Sequence, residues 1–255
     1  QDKESWSICR STGVIMTLSY LSGNRVQGSG LDKNYANFSD DYTTNTGWTQ
    51  TGTTVTVDSG VADKVAYITA VENTDHRVTK SLGITLSDTS WVCDFEFNTS
   101  AVSTGDGILL GLKAGTGAWN SIEDGVSLVC QNISTQRVTI FTNNGGTEAS
   151  GTTLVLGSLG TTYYARLTRS SNVFTCNIFS DSIRITSLGS VTITTAGIAG
   201  LNTLFHGTRV SGDGGSISAT IDNTIIYNNT LNPTDNLIPL QDGARFEETD
   251  TELIY

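Results

Sequence analysis

The stretch Ser90-Trp-Val-Cys-Asp-Phe-Glu-Phe97 decides the fold. In an extended chain successive side chains point to opposite faces, so Trp91, Cys93, Phe95 and Phe97 share one face while Asp94 and Glu96 share the other. That is the pattern of a half-buried antiparallel strand, and it predicts that Asp94 and Glu96 face water. The same alternation extends outward in both directions. Upstream it marks residues 53–58, 64–69 and 76–80; downstream it marks 107–112, 125–130, 136–141, 161–168, 172–179, 190–194, 201–206 and 216–227. Asn143-Asn-Gly-Gly146 supplies the positive-φ residues that a hairpin turn needs, and Arg169-Ser-Ser171 closes a second hairpin. No segment between 47 and 228 sustains a helical period. So many short strands cannot form one flat sheet, which predicts an all-β fold in which two antiparallel sheets pack as a jelly-roll sandwich.

The composition suits a polar exterior. The 255 residues include 27 Gly, and charged side chains make up only 15%, so Thr, Ser, Asn and Gly must form most of the surface. A net charge of −11 repels phosphate backbones and anionic lipid, which argues against nucleic-acid partners. No apolar run approaches the roughly 20 residues of a membrane-spanning helix, so no membrane insertion is expected. With Gln1 at its start, the chain reads as mature and exported, located outside the cell or on a cell or virion surface.

Cys9, Cys93, Cys130 and Cys176 have no metal-ligand spacing and lie far in sequence from His76 and His206. In an exported chain four cysteines allow three disulfide pairings, whereas the alternation places Cys93, Cys130 and Cys176 on apolar strand faces as buried thiols; both readings stay open. Four Asn-x-Ser/Thr tripeptides start at Asn37, Asn98, Asn132 and Asn228, each at a strand end or in a loop, and are candidate glycosylation sites.

Catalytic patterns are thin. A glycosidase needs two carboxylates flanking the scissile bond, and the nearest approach is Asp94-Phe-Glu96, followed by Thr99 where a third carboxylate would complete the strand motif. No Gly-x-Ser-x-Gly elbow positions a nucleophile. No enzymatic activity is expected, and no cofactor. Asp106 and Asp213, in Gly-rich loops, are the candidate ligands for Ca²⁺, with one carboxylate per loop. Trp119, Asn120, Glu123 and Asp124 form the best candidate sugar-binding loop, an aromatic face beside planar polar groups. The competing reading has Trp119 folded back onto the sandwich, where burial of so large a ring gains more.

Gly47-Trp-Thr-Gln-Thr-Gly52, Asp75-His-Arg-Val-Thr-Lys-Ser-Leu82, Trp91–Phe97, Thr161-Thr-Tyr-Tyr-Ala-Arg-Leu167, Phe179-Ser-Asp-Ser182 and Ala219-Thr-Ile-Asp-Asn-Thr-Ile-Ile-Tyr227 together resemble a concanavalin A-like lectin/glucanase domain. The resemblance spans roughly residues 38–228 and is nearest to the LamG-like jelly rolls of environmental microbial and viral surface proteins. It implies the fold far more firmly than an activity.

The expected organisation is an extended flank over 1–37, a jelly-roll domain over 38–230 and an acidic flank over 231–255. Val14, Ile15, Met16, Leu18, Tyr20 and Leu21 form an apolar strand that could complete a neighbour's sheet edge; Ile238, Leu240, Phe246, Leu253, Ile254 and Tyr255 are the apolar contacts of the other flank. The two flanks differ in charge, so head-to-tail contact is attractive. Two functions follow: a glycosylated subunit that self-assembles into a surface fibril or sheath, or a carbohydrate-binding, lectin-like module of a surface or viral adhesion protein.

Overall fold

Alternating apolar and polar residues put Ser90–Val102 at the heart of a sheet, with partners on both sides. The computed structural model describes residues 36–58, 63–71, 73–103, 106–132, 136–209 and 215–230, with Asp58 and Asn132 by backbone alone, plus the strand backbone of 8–11, 14–21 and 25–29. The strands in chain order are β1 (Ile8–Ser11), β2 (Val14–Leu21), β3 (Arg25–Ser29), β4 (Phe38–Asp40), β5 (Trp48–Thr51), β6 (Val55–Asp58), β7 (Lys64–Val71), β8 (Arg77–Ser81) and β9 (Ser90–Val102). They continue as β10 (Asp106–Lys113), β11 (Gly125–Asn132), β12 (Gln136–Asn144), β13 (Thr147–Val155), β14 (Thr162–Ser170), β15 (Val173–Phe179), β16 (Ser187–Thr194), β17 (Thr203–Thr208) and β18 (Ser216–Asn228). The chain divides into two units, residues 1–35 with 233–255, and residues 36–232.

In the first unit β1, β2 and β3 form an antiparallel meander with β2 in the middle. Val14–Thr17 pairs with β1 and Thr17–Leu21 with β3. The strand expected to be donated to a neighbour therefore takes partners from its own chain on both sides, and the N-terminal segment is a small sheet rather than an extended flank. Ile238, Leu240, Phe246, Leu253, Ile254 and Tyr255 lie outside the described residues.

The second unit is the sandwich. One sheet runs β13-β12-β11-β10-β17-β8-β5; the other runs β16-β15-β14-β9-β18-β7-β6, with β4 added on β18. Every pairing is antiparallel. Trp91, Cys93, Phe95 and Phe97 from β9 meet Leu110, Leu112, Leu128 and Ile140 from the facing sheet in one continuous apolar core, and each large ring or aliphatic side chain buried there gains about 1.5–3 kcal/mol. The hairpin expected at Asn143–Gly146 forms with Gly145 and Gly146 at φ 58° and 90°, positive at both central positions as the strand twist demands. The second hairpin closes one residue later than its sequence suggested, around Ser171 and Asn172, with Ser171 at φ 55°. Strands β4, β5 and β13 escape the sequence pattern: β4 and β5 are three and four residues long, and β13 is an edge strand without regular alternation of exposure.

A β-bulge in β10 shapes the interior. Leu109 has no cross-strand partner in either neighbouring ladder, so Ile108 turns to the outer face while Leu109 and Leu110 both enter the core. The Leu109 carbonyl accepts a hydrogen bond from His206 Nδ1 at 2.7 Å.

Candidate functional site

The loop between β10 and β11 was the best sequence candidate for sugar binding, set against the favoured reading in which Trp119 folds back onto the sandwich, and the fold takes the latter course and uses the loop as a cover. Trp119 is fully buried and packs with Ile108, Val129, Phe141 and Phe205 on the outer face of the seven-stranded sheet. Gly111 and Gly125 face this ring, and a Cβ on Gly125 would lie 3.0 Å from it. Glycine at two outward strand positions is thus the sequence signal that an aromatic lies flat over the sheet. Trp119 presents no face on which a sugar could stack.

Its neighbours are equally committed. The fully buried Lys113 ammonium donates to the carbonyls of Gly117 and Ala118 at 2.7 and 2.6 Å, and pairs with Glu123 at 2.9 Å. Burial draws the Lys113 pKa below the usual lysine range, with Glu123 opposing. Burial works to raise the Glu123 pKa, but the bonds from Lys113, Gly117 and Ser121 hold it below the ordinary value. Asp124 accepts from the Gly145 and Ala199 amides, both at 3.0 Å, and Asn143 donates to the carbonyls of Trp119 and Ser121. Asn120 alone of the four predicted residues is exposed. The loop is a structural plug.

Asp94 and Glu96 do point away from the core, yet the expected solvated face is a paired one. Asp94 is only 4% exposed because Arg166 grips it with two hydrogen bonds of 2.8 and 2.7 Å and Arg184 approaches to 3.8 Å. Glu96 accepts from Asn223 at 3.1 Å. Both Asp94 oxygens are thus taken up by Arg166, with Arg184 beside one of them. His76 accepts the Thr53 amide at its Nδ1, 3.1 Å away, and His206 is sealed in the core.

A different part of the surface keeps polar groups available. Where β4 lies along β18, Ser39, Asp40, Asp41, Asn223, Thr224 and Ile225 line an open depression of about 210 Å³. A bulge in β18 between Asp222 and Ile225 builds it, with Asn223 at φ 49°. Beneath it, Tyr42 at φ 58° turns its ring inward, and its hydroxyl bridges Thr224 Oγ1 at 2.5 Å and His206 Nε2 at 3.1 Å. Asp40 is held by the Tyr42 amide and by Lys80, which lies over the Trp48 ring at 5.5 Å. Asp41 is exposed; one of its oxygens accepts from Thr43, whose side-chain bond is the main influence lowering its pKa. Among the described residues, Asp41 Oδ2, Ser39 Oγ and Asn223 Oδ1 have no hydrogen-bond partner. Sequence periodicity does not find this site, because it depends on a bulge and a three-residue strand.

Cys93, Cys130 and Cys176 are buried free thiols, and Cys9 lies outside the residues whose side chains are described. Among the described residues no group of three His, Cys, Asp or Glu could hold a metal ion. Asp106, a predicted calcium ligand, is bonded to Arg209 at 2.7 Å, and Asp213 lies outside the described residues. No helix among the described residues is long and apolar enough to cross a membrane.

No protein-family model matches the chain, and no curated protein matches it in sequence. Solved structures do. The Ca²⁺-bound exoplasmic/lumenal domain of VIP36 is similar with a TM-score of 0.55 at 11% identity, over 80% of this chain and 96% of that one. Its Ca²⁺/Man3GlcNAc-bound form gives 0.51 at 10% identity over 75% and 87% of the two chains. The GH43 protein BlXynB of Bacillus licheniformis gives 0.53 at 9% identity, over 84% of this chain but only 46% of that chain. At such identities the likeness is one of fold, and by fold this chain is a two-sheet antiparallel jelly-roll sandwich.

Proposed function

We propose that residues 36–232 form a non-catalytic carbohydrate-binding module, acting outside the cell or on a surface, whose ligand contacts lie in the depression between β4 and β18. The observation that carries this reading is the convergence there of one exposed carboxylate oxygen of Asp41, the amide oxygen of Asn223 and the hydroxyl of Ser39, none with a hydrogen-bond partner among the described residues. A saccharide offers many neutral hydroxyl donors, and a carboxylate with an amide oxygen accepts two or three of them, while the Ile225 side chain supplies an apolar contact. No basic side chain lines the depression, which disfavours phosphate or sulfate ligands.

The pairing of the carboxylates supports the non-catalytic reading. A glycosidase needs two carboxylates free to flank the scissile bond, and Asp40 and Asp94 are tied to Lys80 and Arg166. Calcium, which the VIP36 domain binds, enters no part of this reading. Fibril assembly by strand donation loses its warrant, because β2 is paired within its own chain.

The test is a glycan array probed with the full chain, wild type beside Asp41→Ala and Asn223→Gly; the second keeps the left-handed backbone available. Binding by the wild type that drops at least tenfold in each variant supports the site. Binding that survives both moves the site elsewhere, and a wild type that binds no glycan overturns the reading.

A further inference from the structure

Of the three Asn-x-Ser/Thr tripeptides whose side chains are described, the fold treats one differently from the others. Asn98 Nδ2 donates both its hydrogens, to the Gly160 carbonyl at 2.9 Å and to Thr162 Oγ1 at 3.3 Å. The hydroxyl of its Ser100 is spent on the Ser218 carbonyl at 3.2 Å. Asn228 is pinned to the 85–87 loop, its Oδ1 accepting from the Ser87 amide at 2.7 Å and its Nδ2 donating to the Thr85 carbonyl at 3.2 Å, and Oδ1 also accepts from the Asn229 amide at 3.1 Å. Asn37 is exposed, and its Oδ1 accepts the Asn228 amide at 2.7 Å. An amide N–H needs an oxygen to receive it, so this bond orients the Asn37 side chain and leaves Nδ2 without a partner among the described residues. Ser39, two residues on, is also exposed, and its hydroxyl has no partner among the described residues.

We infer that Asn37 is an N-glycosylation site of the folded protein and that Asn98 and Asn228 are closed to it. A glycosylated amide retains one N–H. At Asn98 the modification therefore removes one of two hydrogen bonds, and at Asn228 it must find an exit for the sugar beside an amide already bonded on both its atoms. At Asn37 it removes nothing. The donor is an oligosaccharide on a lipid diphosphate: Nδ2 bonds to the anomeric carbon, the bond from that carbon to phosphate breaks, the lipid diphosphate leaves and one amide proton is released. This inference does not require the neighbouring depression to bind a glycan, although Ser39 belongs to both.

The experiment uses the full chain secreted from a eukaryotic host, taking the folded, monodisperse fraction. Peptide N-glycosidase treatment in ¹⁸O-water followed by peptide mapping converts each occupied Asn to a heavy Asp. The expected result is label at position 37 and none at 98 or 228. Ser39→Ala, which leaves Asn37 in place, abolishes the label, and Ser39→Thr restores it; both variants melt with the wild type because position 39 is exposed. An unlabelled Asn37 in the folded fraction overturns the inference, as does label at Asn98 or Asn228 in material that melts like the unmodified chain.

Discussion

Burial lowers the His206 pKa to about 4, against the opposing pull of the Leu109 carbonyl and Asp40. An unfolded histidine titrates near 6.5, so between about pH 6.5 and about pH 4 the unfolded chain binds a proton that the folded chain refuses. The stability held by neutral His206 is thus complete above about pH 6.5 and falls as the pH drops through that window, by about 3 kcal/mol. Urea titrations at several pH values should show this slope in the wild type and a flatter one in His206→Gln; equal slopes would exclude His206 as the source. The sequence places His206 in a strand over 201–206, and it lies in β17. The sequence cannot show the acceptor, since the Leu109 carbonyl is left without a ladder partner only by the bulge in β10.

At the scale of elements, the β10–β11 connection behaves as part of the core. Trp119→Ala should cost about 3–5 kcal/mol, the range for deleting a buried aromatic, read as a lowered denaturation midpoint with an unchanged denaturant slope. Lys113→Met should destabilise more than Glu123→Gln, because it strands the Gly117 and Ala118 carbonyls and the Glu123 carboxylate together, whereas the glutamine keeps an acceptor for Lys113. If instead Lys113→Met were the milder change, the loop would be held by its apolar contacts alone. The sequence contained part of this answer. Gly111 interrupts β10 and Gly125 opens β11, both at outward positions, and only the register across the two strands reveals that one indole ring lies against both.

For the whole molecule, Cys93 and Cys176 lie in one sheet and Cys130 in the other, all fully buried. Burial raises each thiol's pKa, that of Cys130 to about 12, so none supplies a thiolate at neutral pH. Pulsed alkylation should therefore leave all three unmodified in the native state and label them together through the global unfolding transition; earlier labelling of Cys130 would show that the two sheets part separately. Reductant should not change the stability of this unit, since none of its described cysteines is paired. The sequence by itself determined most strands of the sandwich, the Asn143–Gly146 turn, the inward face of β9 and the sandwich class, because strand alternation and turn chemistry are local properties read within a few residues. Only the tertiary structure decided that Trp119 is a plug, that Asp94 is neutralised by Arg166, that β2 is paired at home, and that Ser39, Asp41 and Asn223 meet. Each of those depends on register, bulges and partners far apart in the chain, and a one-residue shift in register exchanges which side chains are buried and which are available.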